Sequence, residues 1–135
     1  SLITIHLSHE VHIYTDGAAK GNPGPAGYGV VMEMVGTPYK KEFYEGFRLS
    51  TNNRMELLAV IVGLEKLKNP KTKVLVVSDS KYVVDSVEKR WVFQWVKGHN
   101  SHPQNERCDE LAVMASQQEK LSIDEFYERE EGKLL

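Results

Sequence analysis

Four carboxylates stand where packing and turns alone give little reason for them. Asp16 closes a β-prone run, Val11 to Thr15, and precedes Gly17. Glu56 is the only charge between Arg54 and Glu65 in an otherwise apolar stretch. Asp79 follows Val77-Ser78 at the end of a continuous apolar run, and Asp109 sits beside Cys108 and Leu111. Each acid also has a plainer reading: a turn at Asp16-Gly17, a first-turn acid at Glu56, an N-cap at Asp79-Ser80 and a solvated helix face at Asp109. Gathered at one edge they would repel by roughly 4 kcal/mol per close pair at an effective dielectric near 20. Such a group persists only with protons or cations among it. All-oxygen donors suit Mg²⁺ or Mn²⁺, and no His- or Cys-rich zinc spacing is present. Two such ions about 3.5–4 Å apart are a known device for in-line attack on a phosphodiester.

The elements that must position these acids can be read from the hydrophobic pattern. Val11 to Thr15, Tyr28 to Val35 and Lys40 to Leu49 read as three strands joined by turn-forming residues, which predicts an antiparallel meander. Met55 to Leu67 is apolar nearly all round and is expected to be a buried helix, with Thr51, Asn52 and Asn53 as cap candidates and Asn69-Pro70 as its end. Val74 to Val77 has the unbroken apolar character of a strand covered on both faces. Tyr82, Val83, Val84, Val87 and Trp91 fall near helical spacing, Val92 to Val96 reads as a fifth strand, and Pro103 to Gln118 as a last helix. The expected architecture is α/β: a five-stranded mixed sheet, three antiparallel strands then two parallel, flanked by helices. If the first and fourth strands are neighbours, Asp16 and Asp79 share the edge where open α/β sheets bind ligands, and the helix starts bearing Glu56 and Asp109 face it.

Composition excludes several classes. The 135 residues suit one domain over 1–135, in which 1–10 read as a leader or appended remnant and 121–135 as an acidic tail without a clear pattern. At 41% hydrophobic and 27% charged, the chain is neither disordered nor a disulfide scaffold. No run approaches the ~20 apolar residues of a membrane span. No signal peptide is visible, and the lone Cys108 fits a reducing, cytoplasmic setting. Net charge is −2, but 66–100 holds eight bases against three acids, and 117–135 six acids against three bases. That distribution allows a local polyanion site.

Six ordered strings resemble type 1 ribonuclease H: Tyr14-Thr15-Asp16-Gly17, Gly21-Asn22-Pro23-Gly24-Pro25, Thr51-Asn52-Asn53-Arg54-Met55-Glu56, Ser78-Asp79-Ser80, Trp95-Val96-Lys97-Gly98-His99 and Asn105 to Ala112. Together they run from about Val11 to Ser116, and their order and spacing make the match specific. The resemblance implies a ribonuclease H-like fold and endonucleolytic cleavage of the RNA strand of RNA–DNA hybrids, without sequence preference, leaving 5′-phosphate and 3′-hydroxyl ends. It implies two Mg²⁺ ions, replaceable by Mn²⁺. Asp16 would bridge them, Asp109 would serve the ion that activates water, and Glu56 and Asp79 the ion at the leaving oxygen. His99 matches a histidine that assists proton transfer or product release. Gly17, Asn52 and Asn53 resemble groups that reach RNA 2′-hydroxyls, which distinguish RNA from DNA. Asn22 and Thr51 resemble a pocket for a DNA phosphate, and Lys81 stands where relatives often carry Gln, suiting a phosphate contact.

One departure matters. Many relatives carry a basic helix and loop between the helix ending near Trp91 and the fifth strand. Here Trp91-Val92-Phe93 resembles the start of that segment, while Phe93-Gln94-Trp95-Val96 already resembles the strand beyond it. The segment is either deleted or missing from this sequence, the latter to be shown by an intact mass well above 15.4 kDa. A monomer is expected, with a domain-swapped dimer as the alternative that a tight crossover encourages. Two other functions stay open beside the nuclease: a hybrid-binding module that cleaves poorly alone, and a different nuclease or transposase on the same fold.

Overall fold

The computed structural model describes residues 10–69, 72–80, 83, 92–95 and 103–134. Strand β1, Glu10–Ala19, pairs antiparallel with β2, Gly24–Met34, which pairs antiparallel with β3, Lys40–Ser50. On its other side β1 runs parallel to β4, Lys73–Ser78, from Glu10↔Lys73 to Thr15↔Ser78. These four strands carry the sheet in the order β3-β2-β1-β4. The expected fifth strand is present only as a four-residue parallel edge pairing, β5 Val92–Trp95 against Leu75–Ser78. Val96 and most of the expected helix from Tyr82 to Trp91 lie outside the described residues; Val83 is helical and buried.

Alternation along the strands explains the unbroken apolar runs. Ile13, Val30 and Val76 enter one core with Met55, Ala59 and Val60 of helix α1, Asn52–Glu65. Their chain neighbours Tyr14, Val31 and Val77 enter a second core with Cys108 and Leu111 of helix α2, Pro103–Ser116. A sheet covered on both faces needs both residues of each pair to be apolar. Close contact also needs side chains removed: a Cβ on Gly29 would lie 2.3 Å from the Cys108 carbonyl oxygen, so α2 rests directly on β2.

Several expectations are corrected here. Asp16-Gly17 does not end the first strand, because β2 continues to pair with it as far as Ala19↔Ala26. Only the parallel neighbour stops, at Ser78 opposite Thr15. Helix α1 ends at Glu65 with Lys66 as its cap, before Asn69, and it is not buried all round: Ile61 is 43% exposed. Its sheet-facing stripe is Met55, Glu56, Ala59, Val60 and Gly63. The last core helix stops at Ser116 rather than Gln118.

The acidic tail is ordered as well. Ser122 bridges β3 at Phe47, giving its N–H to the Gly46 carbonyl and accepting from the Arg48 N–H. Helix α3, Glu125–Leu134, follows, and Arg48 grips Glu128 through both Nε and Nη2. Among the described residues no helix is long and apolar enough to cross a membrane.

Candidate active site

Asp16, Glu56 and Asp79 come together at the end of the parallel β1–β4 pair, with one carboxylate oxygen of each within 4.8 Å of the others. Strand β1 brings Asp16 one residue past the last parallel pair, and β4 brings Asp79 to the equivalent place. Glu56 arrives from the second turn of α1, which starts at an N-cap: the Thr51 hydroxyl accepts from the Arg54 N–H at 3.2 Å. Gly17 lets that helix approach, since a Cβ there would sit 2.7 Å from the Glu56 backbone nitrogen. The capping expected of Asp79-Ser80 falls to Ser80, whose hydroxyl accepts from the Val83 N–H at 3.3 Å. Asp79 is thereby left to the acidic cluster.

The electrostatics of the cluster fit a cation site. Asp16 is 3% exposed and Glu56 9%. Burial, then the charges of Asp16 and Asp79, push the Glu56 carboxyl up to about 10. Its Oε2 is buried without a hydrogen-bond partner. Three crowded carboxylates with an orphaned oxygen suit a hard divalent cation such as Mg²⁺ or Mn²⁺, so the residues present fit the implied metal.

Asp109 is not part of this tight group. It lies on α2, half-buried, next to Cys108, whose thiol donates to the Tyr14 carbonyl at 3.1 Å. That contact ties α2 to β1 two residues before Asp16. Burial pushes the Cys108 thiol well above its usual range, so it serves packing rather than nucleophilic chemistry.

The substrate-contact candidates gather at one corner. Asn22, in the β1–β2 turn beside Gly21 (φ 73°), accepts the Asn52 N–H on its Oδ1 at 3.0 Å. Thr51, Asn52 and Asn53 form the start of α1, where both asparagines are exposed, and Gly17 lies under that helix. Lys81 and His99 lie outside the described residues. A groove of about 470 Å³ lined by Val11, Met34, Tyr39, Phe43 and Lys66 sits at the opposite end of β1 and takes no part.

The sequence reading missed what holds this corner from behind. Arg54 reaches across to Asp124, donating from Nε to Oδ2 and from Nη2 to Oδ1, each at 2.7 Å. The Ser50 hydroxyl donates to the same Oδ2 at 2.6 Å. Asn105, 1% exposed with neither amide atom partnered, stood in the Asn105 to Ala112 string without a role of its own. Arg54 stood inside a motif already noted, but no local pattern pointed to Asp124.

The fold and the site define an α/β protein that carries an acidic trio at the end of its parallel strand pair. Residues 8–93 match the family described as RNase H. A ribonuclease H of Desulforamulus reducens is 46% identical over 150 aligned positions, covering 85% of this chain and 92% of that protein. A ribonuclease HI of Shewanella oneidensis is 40% identical, covering 89% of this chain and 96% of that protein. Among solved structures, LC11-RNase H1 in complex with RNA/DNA hybrid superposes with a TM-score of 0.65 at 29% identity, covering 78% of this chain and 96% of that one. RNase H1 from Halobacterium salinarum gives 0.63 at 27%, with the same coverage. The chain belongs to the ribonuclease H family, and its relatives place it with the type 1 enzymes.

Proposed function

We propose that this protein is a divalent-metal-dependent endoribonuclease that hydrolyses the RNA strand of RNA–DNA hybrids. The observation that carries the reading is the Asp16–Glu56–Asp79 trio, drawn within 4.8 Å beside a helix start rich in hydrogen-bonding residues. Family membership and the hybrid-bound relative LC11-RNase H1 support it. Asp16, Glu56 and Asp79, joined by Asp109 from α2, would hold two Mg²⁺ ions, with Mn²⁺ as a substitute. Such ions supply water activation and offset charge on the attacking and leaving oxygens.

The chain's own groups bind and orient the duplex. Asn52, Asn53 and the backbone at Gly17 meet the RNA 2′-hydroxyls across the minor groove. Asn22 has its Oδ1 engaged by the Asn52 N–H, so its Nδ2 is the donor for a DNA-strand phosphate. Thr51, whose oxygen accepts from Arg54, keeps its own O–H for the same phosphate. His99 moves a proton or helps product leave, and Lys81 adds a phosphate contact. The enzyme acts as a monomer in the cytoplasm and reads no base sequence.

The test uses labelled RNA–DNA hybrid, RNA duplex and DNA duplex with Mg²⁺ or with EDTA. Only the RNA strand of the hybrid is cut, giving 5′-phosphate and 3′-hydroxyl ends, and EDTA stops it. Efficient cutting of the DNA duplex overturns the roles of Asn52 and Asn53. A second reading, a hybrid-binding module that cleaves poorly alone, draws on the net charge of −2 and the shortened basic region before the fifth strand. Tight hybrid binding without Mg²⁺-dependent cutting would favour it.

A further inference from the structure

We infer that Arg54 and Asp124 form a positioning latch that sets the hybrid-contacting corner Thr51-Asn52-Asn53, so that docking of the chain's last helix fixes how the enzyme grips its substrate. The inference rests on the reading above and adds two positioning residues to it.

The geometry is specific. Arg54 is the third residue of α1, two positions before Glu56 and directly after Asn53. An arginine in a first turn faces the positive end of the helix dipole, an unfavourable place unless a carboxylate meets it. Asp124 meets it with both oxygens, in the parallel fork geometry that fixes direction as well as distance. The same carboxylate accepts from Ser50, the last residue of β3, and from the Tyr127 N–H in the first turn of α3 at 3.3 Å. One buried carboxylate thus joins the end of β3, the first turn of α1 and the first turn of α3. The guanidinium carbon also lies over the rings of Phe126 and Tyr127, 5.5 and 5.7 Å from their centres, which limits its rotation.

The corner is held on its other side by Asn22, through the Asn52 N–H. First turns of helices fray unless side chains satisfy and restrain them. With Asn22 on one side and the latch on the other, the backbone that carries Asn52 and Asn53 is restrained, and part of the ordering cost is met before substrate arrives. Burial raises the Asp124 carboxyl, but the Arg54, Ser50 and Tyr127 hydrogen bonds and the Arg54 charge outweigh it and hold the group below its ordinary range. It therefore stays charged at neutral pH.

The test compares Asp124→Ala, Asp124→Asn and Arg54→Lys with the unaltered full chain, measuring KM and kcat on an RNA–DNA hybrid with Mg²⁺ and normalising to folded protein. Loosened Asn52 and Asn53 raise KM roughly tenfold while kcat stays within about twofold. Arg54→Lys behaves like Asp124→Ala, because a lysine keeps the charge and loses the fork. Asp124→Asn keeps volume and one acceptor, serves if the alanine variant does not fold, and raises KM by a smaller factor. KM unchanged in all three variants, with only stability lowered, overturns the latch and leaves the nuclease reading standing. Wild-type KM in Arg54→Lys alone overturns it too, since charge rather than the fork would then be acting. An unaltered chain that cuts no hybrid removes the nuclease reading and the latch with it.

Discussion

Gly17 and Glu56 meet so closely that a methyl group on Gly17 would lie 2.7 Å from the Glu56 backbone nitrogen and 2.8 Å from the Met55 Cβ. The neighbours are backbone and a fixed Cβ, so they cannot swing away. Gly17→Ala must push α1 off β1 and spread Asp16 from Glu56. Overpacking of this kind costs about 1–3 kcal/mol. The expected result is a melting point lower by several degrees and hybrid cleavage down by on the order of a hundredfold in folded protein. Retained activity at wild-type stability would mean that the helix has room to yield.

Asp79→Asn is expected to abolish cleavage while leaving the metal-free protein as stable as before, or slightly more so. The charge it removes is one of those that hold the Glu56 carboxyl up. Thermal unfolding in EDTA decides the matter. A drop of several degrees would assign Asp79 to the framework instead of the metal site.

Stability without metal should depend on pH through Glu56. Glu56 has an ordinary value of 4.5 and a folded one of about 10, raised first by burial and then by Asp16 and Asp79. A raised carboxylate makes the folded state the stronger proton binder. Its contribution is therefore complete below 4.5 and is lost as pH climbs through about 10. Melting points measured in EDTA should fall across that window, whereas saturating Mg²⁺, which needs the ionised carboxylate, should flatten the fall. Identical profiles with and without Mg²⁺ would separate Glu56 from the metal site.

The relatives' basic segment has no counterpart in the strings read here, so hybrid binding is expected to be weak, with a shallow salt dependence. Phe93 and Gln94 both lie inside β5, opposite Val76 and Val77, so an inserted basic helix belongs before Val92 rather than between those two residues. Each new phosphate contact should steepen the log–log salt slope by about 0.9. Binding that is already tight, with an unchanged slope after insertion, would show that other residues do this job.

What could be read from the sequence follows from how local each signal is. Val74 to Val77 announced a covered strand because both faces need apolar residues, and Thr51 announced α1 because capping is decided within three positions. Asp16, Glu56 and Asp79 could be grouped once β1 and β4 were taken as neighbours. The strand through Asp16-Gly17 was hidden because both residues favour turns, and their pairing with Gly29 and Tyr28 on β2 overrides them. The exposed outer face of α1 was hidden for a related reason: an apolar residue such as Ile61 does not say whether anything covers it. Asp124 was illegible because its partners Ser50 and Arg54 lie 74 and 70 positions away.

The Ser122 bridge on β3 bears on how these molecules behave in a crowd. Among the described residues β3 pairs with one strand, β2, and an open strand edge offers a template on which a second chain can zip up. Ser122 occupies that template at the Gly46 carbonyl and the Arg48 N–H. Arg48 and Glu128 then clasp across the same stretch. The tail works as a selvedge, the finished border that keeps a woven cloth from unravelling or catching. A chain whose Ser122 was pulled from that border would present a bare strand to its neighbours, open to clumping.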